Sequence, residues 1–129
     1  MDDSNPQPPS LDGTSATDPD ALARLRRFGG DKLLREMIDL YLIAAPERLA
    51  AARSGAESGD LPSTELALHS LKSSSAQLGA ARVGKLSERG ELIARGGTLD
   101  GIAGLVTEME AELARATEWL MTVRDEGAK

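Results

Sequence analysis

The chain contains one histidine, His69, and the residues near it have the types and spacing that could do chemistry. An imidazole with an unprotonated ring nitrogen is a nucleophile at neutral pH, because an ordinary imidazole titrates near ~6.5. On a helix turning about 100° per residue, Glu65, Lys72, Ser73, Ala76 and Gln77 gather around His69. Ala67, Leu68, Leu71, Ser75 and Leu78 fall on the opposite side, so the histidine points away from the core. Lys72 could neutralise an anion placed on the ring, and Gln77 could donate an amide hydrogen bond toward it. Ser73 and Ala76 are short and leave the surface open to an approaching partner. A cation, an amide donor and low relief around an exposed imidazole suit a histidine that carries phosphate transiently. From geometry alone, the plainer alternative is a solvated surface histidine.

Helices must position these residues. The apolar set holds 19 Leu and 19 Ala against 3 Val and 4 Ile, with a single Phe, Tyr and Trp, so sheet formers are scarce and helix formers abundant. At 129 residues the chain is sized for one domain. Residues 1–17, with Pro6, Pro8 and Pro9 and little apolar content, read as a flexible tail. Asp18-Pro19 opens a short helix with Leu22, Leu25 and Phe28 at three-residue intervals, and Gly29-Gly30 stops it. A second helix begins near Asp31 and carries Leu33, Leu34, Met37, Ile38 and Tyr41 on one stripe. Pro46 is expected to break or kink it before it resumes to Ala56, with Leu49, Ala52 and Ala56 inward and Gly59 at its end. Asp60 caps a helix over 61–78 that bears His69 and stops at Gly79. The next, over about 81–95, carries Val83, Leu86, Leu92 and Ile93 and ends at Gly96-Gly97. In the last helix Ile102, Val106, Met109, Leu113, Ala116, Leu120 and Val123 alternate steps of four and three, the seam of a bundle helix, and Trp119 covers the bundle edge. The predicted architecture is all-α: an antiparallel up-down four-helix bundle over 18–124, with a short extra N-terminal helix as a lid and a C-terminal tail over 125–129.

The net charge of −6 argues against nucleic-acid or anionic-membrane partners. No apolar run reaches the ~20 residues of a membrane span, and the acidic start Met1-Asp2-Asp3-Ser4 is unlike a secretory signal. The absence of cysteine excludes disulfides, thiolate catalysis and zinc–sulfur sites, and one histidine excludes a poly-histidine metal site. The expectation is a cytoplasmic monomer, and Met1 with its short tail reads as the start of a free-standing domain. Gly29-Gly30 and Gly96-Gly97 lack the Gly-Lys-Ser/Thr that a phosphate loop requires. Ser73 to Ser75 lack the context of a hydrolase triad. Asp100, Glu108, Glu110 and Glu112 read as a helix cap and a wet helix face, with no metal ligand among them.

The run His69-Ser70-Leu71-Lys72-Ser73-Ser74-Ser75-Ala76-Gln77-Leu78-Gly79-Ala80 resembles the signature of histidine-containing phosphotransfer (HPt) domains, His-x-Leu-Lys-Gly-Ser followed by an apolar-Gly-Ala. Gly29-Gly30-Asp31, Tyr41 with Pro46-Glu47, Gly59-Asp60 and Glu91 also sit where that family has equivalents, so the resemblance spans about residues 20 to 123. It implies a phosphorelay intermediate. The imidazole Nε2 of His69 would take a phosphoryl group from the phospho-aspartate of a response-regulator receiver domain, or from a hybrid or sensor histidine kinase, and pass it to another receiver. Lys72 and Gln77 would serve the phosphoryl group, and Ser73 and Ala76 the docking face. Glu91 would hold the second ring nitrogen, as in some relatives; a solvated or capping role is the alternative. The resemblance puts Mg²⁺ and its acidic pocket on the receiver and none on this chain. Nothing resembles an ATP-binding domain, so the expectation is a phosphocarrier without autokinase activity. Two other readings stand beside it: a receiver-binding adaptor in which His69 is not phosphorylated, and a helical scaffold unrelated to signalling. Ser73 replaces the family's usual glycine, which keeps the site small. Gly90 replaces a larger apolar residue, a change expected to bear on helix stability.

Overall fold

The structure, a computed structural model, describes residues 15–127. Its four helices are α1 (Pro19–Ser58), α2 (Leu61–Leu78), α3 (Ala81–Arg95) and α4 (Ile102–Gly127), with no strand among the described residues. Each helix packs on its neighbour in sequence, and α1 closes the ring against α4, as short connections in an up-down bundle require. The core is built from the inward stripes: Ile38 of α1, Leu68, Leu71 and Leu78 of α2, Val83 and Leu86 of α3, and Ile102, Val106, Met109 and Leu120 of α4, all essentially without exposure. Among the described residues, no helix is long and apolar enough to cross a membrane.

Capping signals in the sequence set the ends of α2. The Asp60 side chain accepts from the backbone N–H of Ser63 at 3.1 Å, and Pro62 sits in the first turn, where its missing donor costs nothing. Gly79 ends α2 at φ 77°, and a Cβ there would stand 2.4 Å from the carbonyl oxygen of Asp18. Both requirements admit only glycine. The close approach lets the Asp18 N–H donate to the Gly79 carbonyl at 2.8 Å, tying the start of α1 to the end of the histidine helix.

The expected stop at Gly29-Gly30 is present: α1 comprises two helical segments that meet at a kink at Gly30 (φ 76°, ψ −173°). Other expectations need correction. Ala21 and Leu22 anchor the segment before the bend, but Phe28 is 88% exposed, in a stretch over 26–32 that is exposed throughout. Pro46 does not break α1: one backbone donor is lost, the backbone stays helical there, and Ala45, Leu49 and Ala52 around it are buried. On α3 the inward face is turned relative to the sequence reading. Ser87, Gly90, Glu91 and Ala94 face inward with Val83 and Leu86, Ile93 is half-buried, and Leu92 is exposed. The last helix buries Leu105 beside its expected seam and continues through Gly127, past the position 125 where a tail was expected. Most of the expected N-terminal tail, residues 1–14, and the last two residues, 128–129, lie outside the described residues.

Candidate functional site

His69 lies at the middle of α2 with its side chain 54% exposed, held on one edge only. Its Nδ1 is 2.7 Å from Oε2 of Glu91 on α3. The other Glu91 oxygen, Oε1, accepts from Nζ of Lys72 at 2.8 Å, and Oε2 also accepts from Nη2 of Arg95. Arg95 in turn donates from Nε to Oε2 of Glu65, one turn before His69 on α2, at 3.1 Å.

Packing brings Glu91 into reach. Gly90 is buried against α2, where a Cβ would stand 2.9 Å from Cδ1 of Leu68. Its lack of a side chain is therefore a matter of how closely α3 approaches the histidine helix, and not only of helix stability as the sequence reading had it. The next residue, Glu91, is 1% exposed. Burial pushes its carboxyl up, but hydrogen bonds from Lys72 and His69 and the charges of Lys72 and Arg95 outweigh burial and hold it below the ordinary glutamate range. An ionised carboxylate only accepts. Nδ1 must therefore carry a proton, and in the neutral ring the lone pair is left on Nε2. The open alternatives for Glu91, a solvated side chain or a helix cap, do not describe this buried carboxylate.

The remaining candidates divide between two sides of α2. Ser73 and Gln77 line a groove of about 360 Å³ with His69, Ser70 and Ser74, walled by Met37, Leu40, Ala44 and Arg48 of α1. Lys72 and Ala76 line a separate depression toward α3, with Gly84, Lys85 and Glu88. Ser73, Ala76 and Gln77 are exposed, and Lys72 is half-buried along its stem. Beneath the groove Ser75 faces the core, its Oγ 2.8 Å from the hydroxyl of Tyr41, whose pKa burial pushes up to about 12. That pair is neutral and structural.

Sequence reasoning missed Arg95 altogether. Its signals were its place four residues after Glu91 and directly before the Gly96-Gly97 stop. It also missed the exposed apolar side chains Leu40 and Leu66, 62% and 67% exposed, which line the depressions on either side of His69. Of the acidic residues of α4 assigned to a wet face, Glu110 pairs with Arg53 at 3.2 Å, but Glu112 is largely buried, its side chain 14% exposed.

Fold and site together define a helical bundle that presents one oriented imidazole on an open face. The chain belongs to the Hpt domain family, whose pattern matches residues 36–119. Among solved structures it is similar to histidine-containing phosphotransfer protein B (HptB) from Pseudomonas aeruginosa PAO1, at 25% identity and a TM-score of 0.81, over 88% of this chain and 97% of that one. No curated protein matches its sequence.

Proposed function

We propose that this protein is a phosphorelay intermediate that carries a phosphoryl group on Nε2 of His69. The observation that supports this most is the orientation of the ring: a buried, ionised Glu91 holds Nδ1 and leaves the basic nitrogen facing outward. The Nε2 lone pair attacks the phosphorus of a receiver's phospho-aspartate, the bond from phosphorus to the carboxylate oxygen breaks, and the aspartate leaves with that electron pair. The phosphohistidine then undergoes the reverse step with a second receiver. Lys72, one turn from the ring, stabilises charge on the phosphoryl oxygens, and Gln77 donates to them from the groove. Ser73 and Ala76 keep the docking face low, so that the phosphorus can come within ~3–3.5 Å of the nitrogen. The receiver supplies magnesium and its acidic ligands. A kinase can take the place of the first receiver.

The test is incubation of the full chain with phosphorylated receiver domains, followed by assay for acid-labile phosphate. The wild type should be labelled on His69, and His69→Gln should take up none while circular dichroism shows an unchanged fold and stability falls by about 0.5–1.5 kcal/mol, because Glu91 loses one of its donors. Label on the variant would refute the proposal. A folded wild type that binds receivers but is never labelled would be the adaptor instead.

A further inference from the structure

Glu91 can orient the imidazole only if its own carboxylate plane is held. The torsion that sets that plane is a soft one, broad and roughly two-fold, so rotamer preference does not hold it. Three donors meet the carboxylate: His69, Lys72 and Arg95. His69 is the group being oriented. Lys72 reaches Oε1 on a flexible four-carbon stem. Arg95 is different, because the planar guanidinium that meets Oε2 of Glu91 through Nη2 also meets Glu65 through Nε at 3.1 Å. Among the described residues, it is the donor to Glu91 that is held from behind by a second carboxylate. It also occupies the last turn of α3, where a cation meets the negative end of the helix dipole, and the Gly96-Gly97 stop follows it directly.

We propose that Arg95, docked by Glu65, is a positioning residue for the phosphoryl-accepting histidine. It pins the Glu91 carboxylate so that Oε2 faces Nδ1 of His69 and Oε1 remains turned to Lys72. The ring is thereby kept as the Nδ1–H tautomer with Nε2 available. Arg95 donates to Glu91 and Glu65 and acts on the imidazole through Glu91. This inference rests on the proposed role of His69, but its main readout does not require phosphoryl transfer.

The tautomer can be read directly, because the chain's single histidine makes its ring ¹⁵N signals unambiguous. The spectra are taken on the full chain at a pH high enough for the ring to be neutral. The wild type should be predominantly Nδ1–H. Arg95→Gln and, independently, Glu65→Gln should each raise the Nε2–H population, the form a free imidazole favours. Both should slow labelling by the small donor phosphoramidate by about three- to tenfold while circular dichroism shows an unchanged fold. Arg95→Lys keeps the charge but not the fork that reaches both carboxylates, so it should recover labelling only in part. An unchanged tautomer in Arg95→Gln, or full recovery by Arg95→Lys of both tautomer and rate, would overturn the positioning role. A wild type that phosphoramidate never labels would defeat the phosphotransfer reading, and the ring spectra would still decide the role of Arg95.

Discussion

Glu91, at the seam of α2 and α3, and Glu112, where α4 faces α3, are both carboxylates largely withdrawn from water. They are held in different ways. Glu91, with 2% of its side chain exposed, has both oxygens engaged, by an imidazole, an ammonium and a guanidinium. Glu112, at 14%, has Oε2 3.5 Å from Nη1 of Arg82, and Oε1 at the 4.0 Å limit of an ion pair with Nε of Arg115 and without a hydrogen bond. Removing a carboxylate from water is costly unless donors take the place of its hydration. At Glu91 they do so in full, and the geometry they impose passes to the exposed imidazole of His69. At Glu112 the replacement is partial, and the exposed Arg115 stays free to move in water. The difference shows that burial of a charge does not by itself mark a functional site. What sets Glu91 apart is a complete donor set, one member of which is an exposed imidazole.

The comparison can be broken most directly at Glu91. Glu91→Gln keeps the shape but leaves Lys72 without its carboxylate and Arg95 with Glu65 alone. It should slow labelling of His69 by phosphorylated receivers by roughly ten- to a hundredfold and reduce stability by about 1–3 kcal/mol, read from denaturant melts. Wild-type labelling in this variant would make Glu91 a purely structural residue. The stability gap should also depend on pH. Because the folded carboxyl is held below its ordinary value, its contribution is present above ~4.3 and lost as the pH falls through the folded value. Melts of the wild type and Glu91→Gln should therefore converge on acidification below about pH 4, and a gap that widened there would contradict the pairing.

Lys72→Ala sharpens the contrast with a smaller effect. Glu91 keeps His69 and Arg95, so orientation survives while one charge beside the phosphoryl group is lost. Labelling should slow by about tenfold, with stability reduced by no more than about 1 kcal/mol because Lys72 is partly exposed. An unchanged rate would restrict Lys72 to holding Glu91. The smallest effect is expected at Glu112. Glu112→Gln should leave labelling unchanged and shift stability by no more than about 0.5 kcal/mol in either direction, since little pairing is lost and less charge is buried. A loss of about 2 kcal/mol or more would mean that Glu112 is held as firmly as Glu91, and the distinction would fail.

Much of this molecule could be read along the chain. The ends of α2 and α3 follow from Asp60, Gly79 and Gly96, because caps and stops act within a few residues of the backbone they satisfy. The seam of α4 follows from its alternating spacing. The outward direction of His69 and inward direction of Ser75 follow from helical phase alone. Phe28 and Leu92 were misplaced because an apolar residue near a helix end, or beside the buried stripe, satisfies the same pattern whether or not a neighbour covers it.

The sequence by itself determined that the chain is helical, where its central helices begin and end, and that a lone histidine stands on a low, open face beside a lysine. Each of these depends on interactions spanning a few residues. The state of that histidine was decided only by tertiary structure. Twenty-two residues separate His69 from Glu91, and thirty separate Glu65 from Arg95. Nothing in local phase says which acidic side chain of α3 turns inward or how near α3 lies to α2. That was settled by packing, with Gly90 against Leu68 and the inward stripe of α3 turned toward the core. Only then does a buried carboxylate meet the ring and the two cations that keep it ionised.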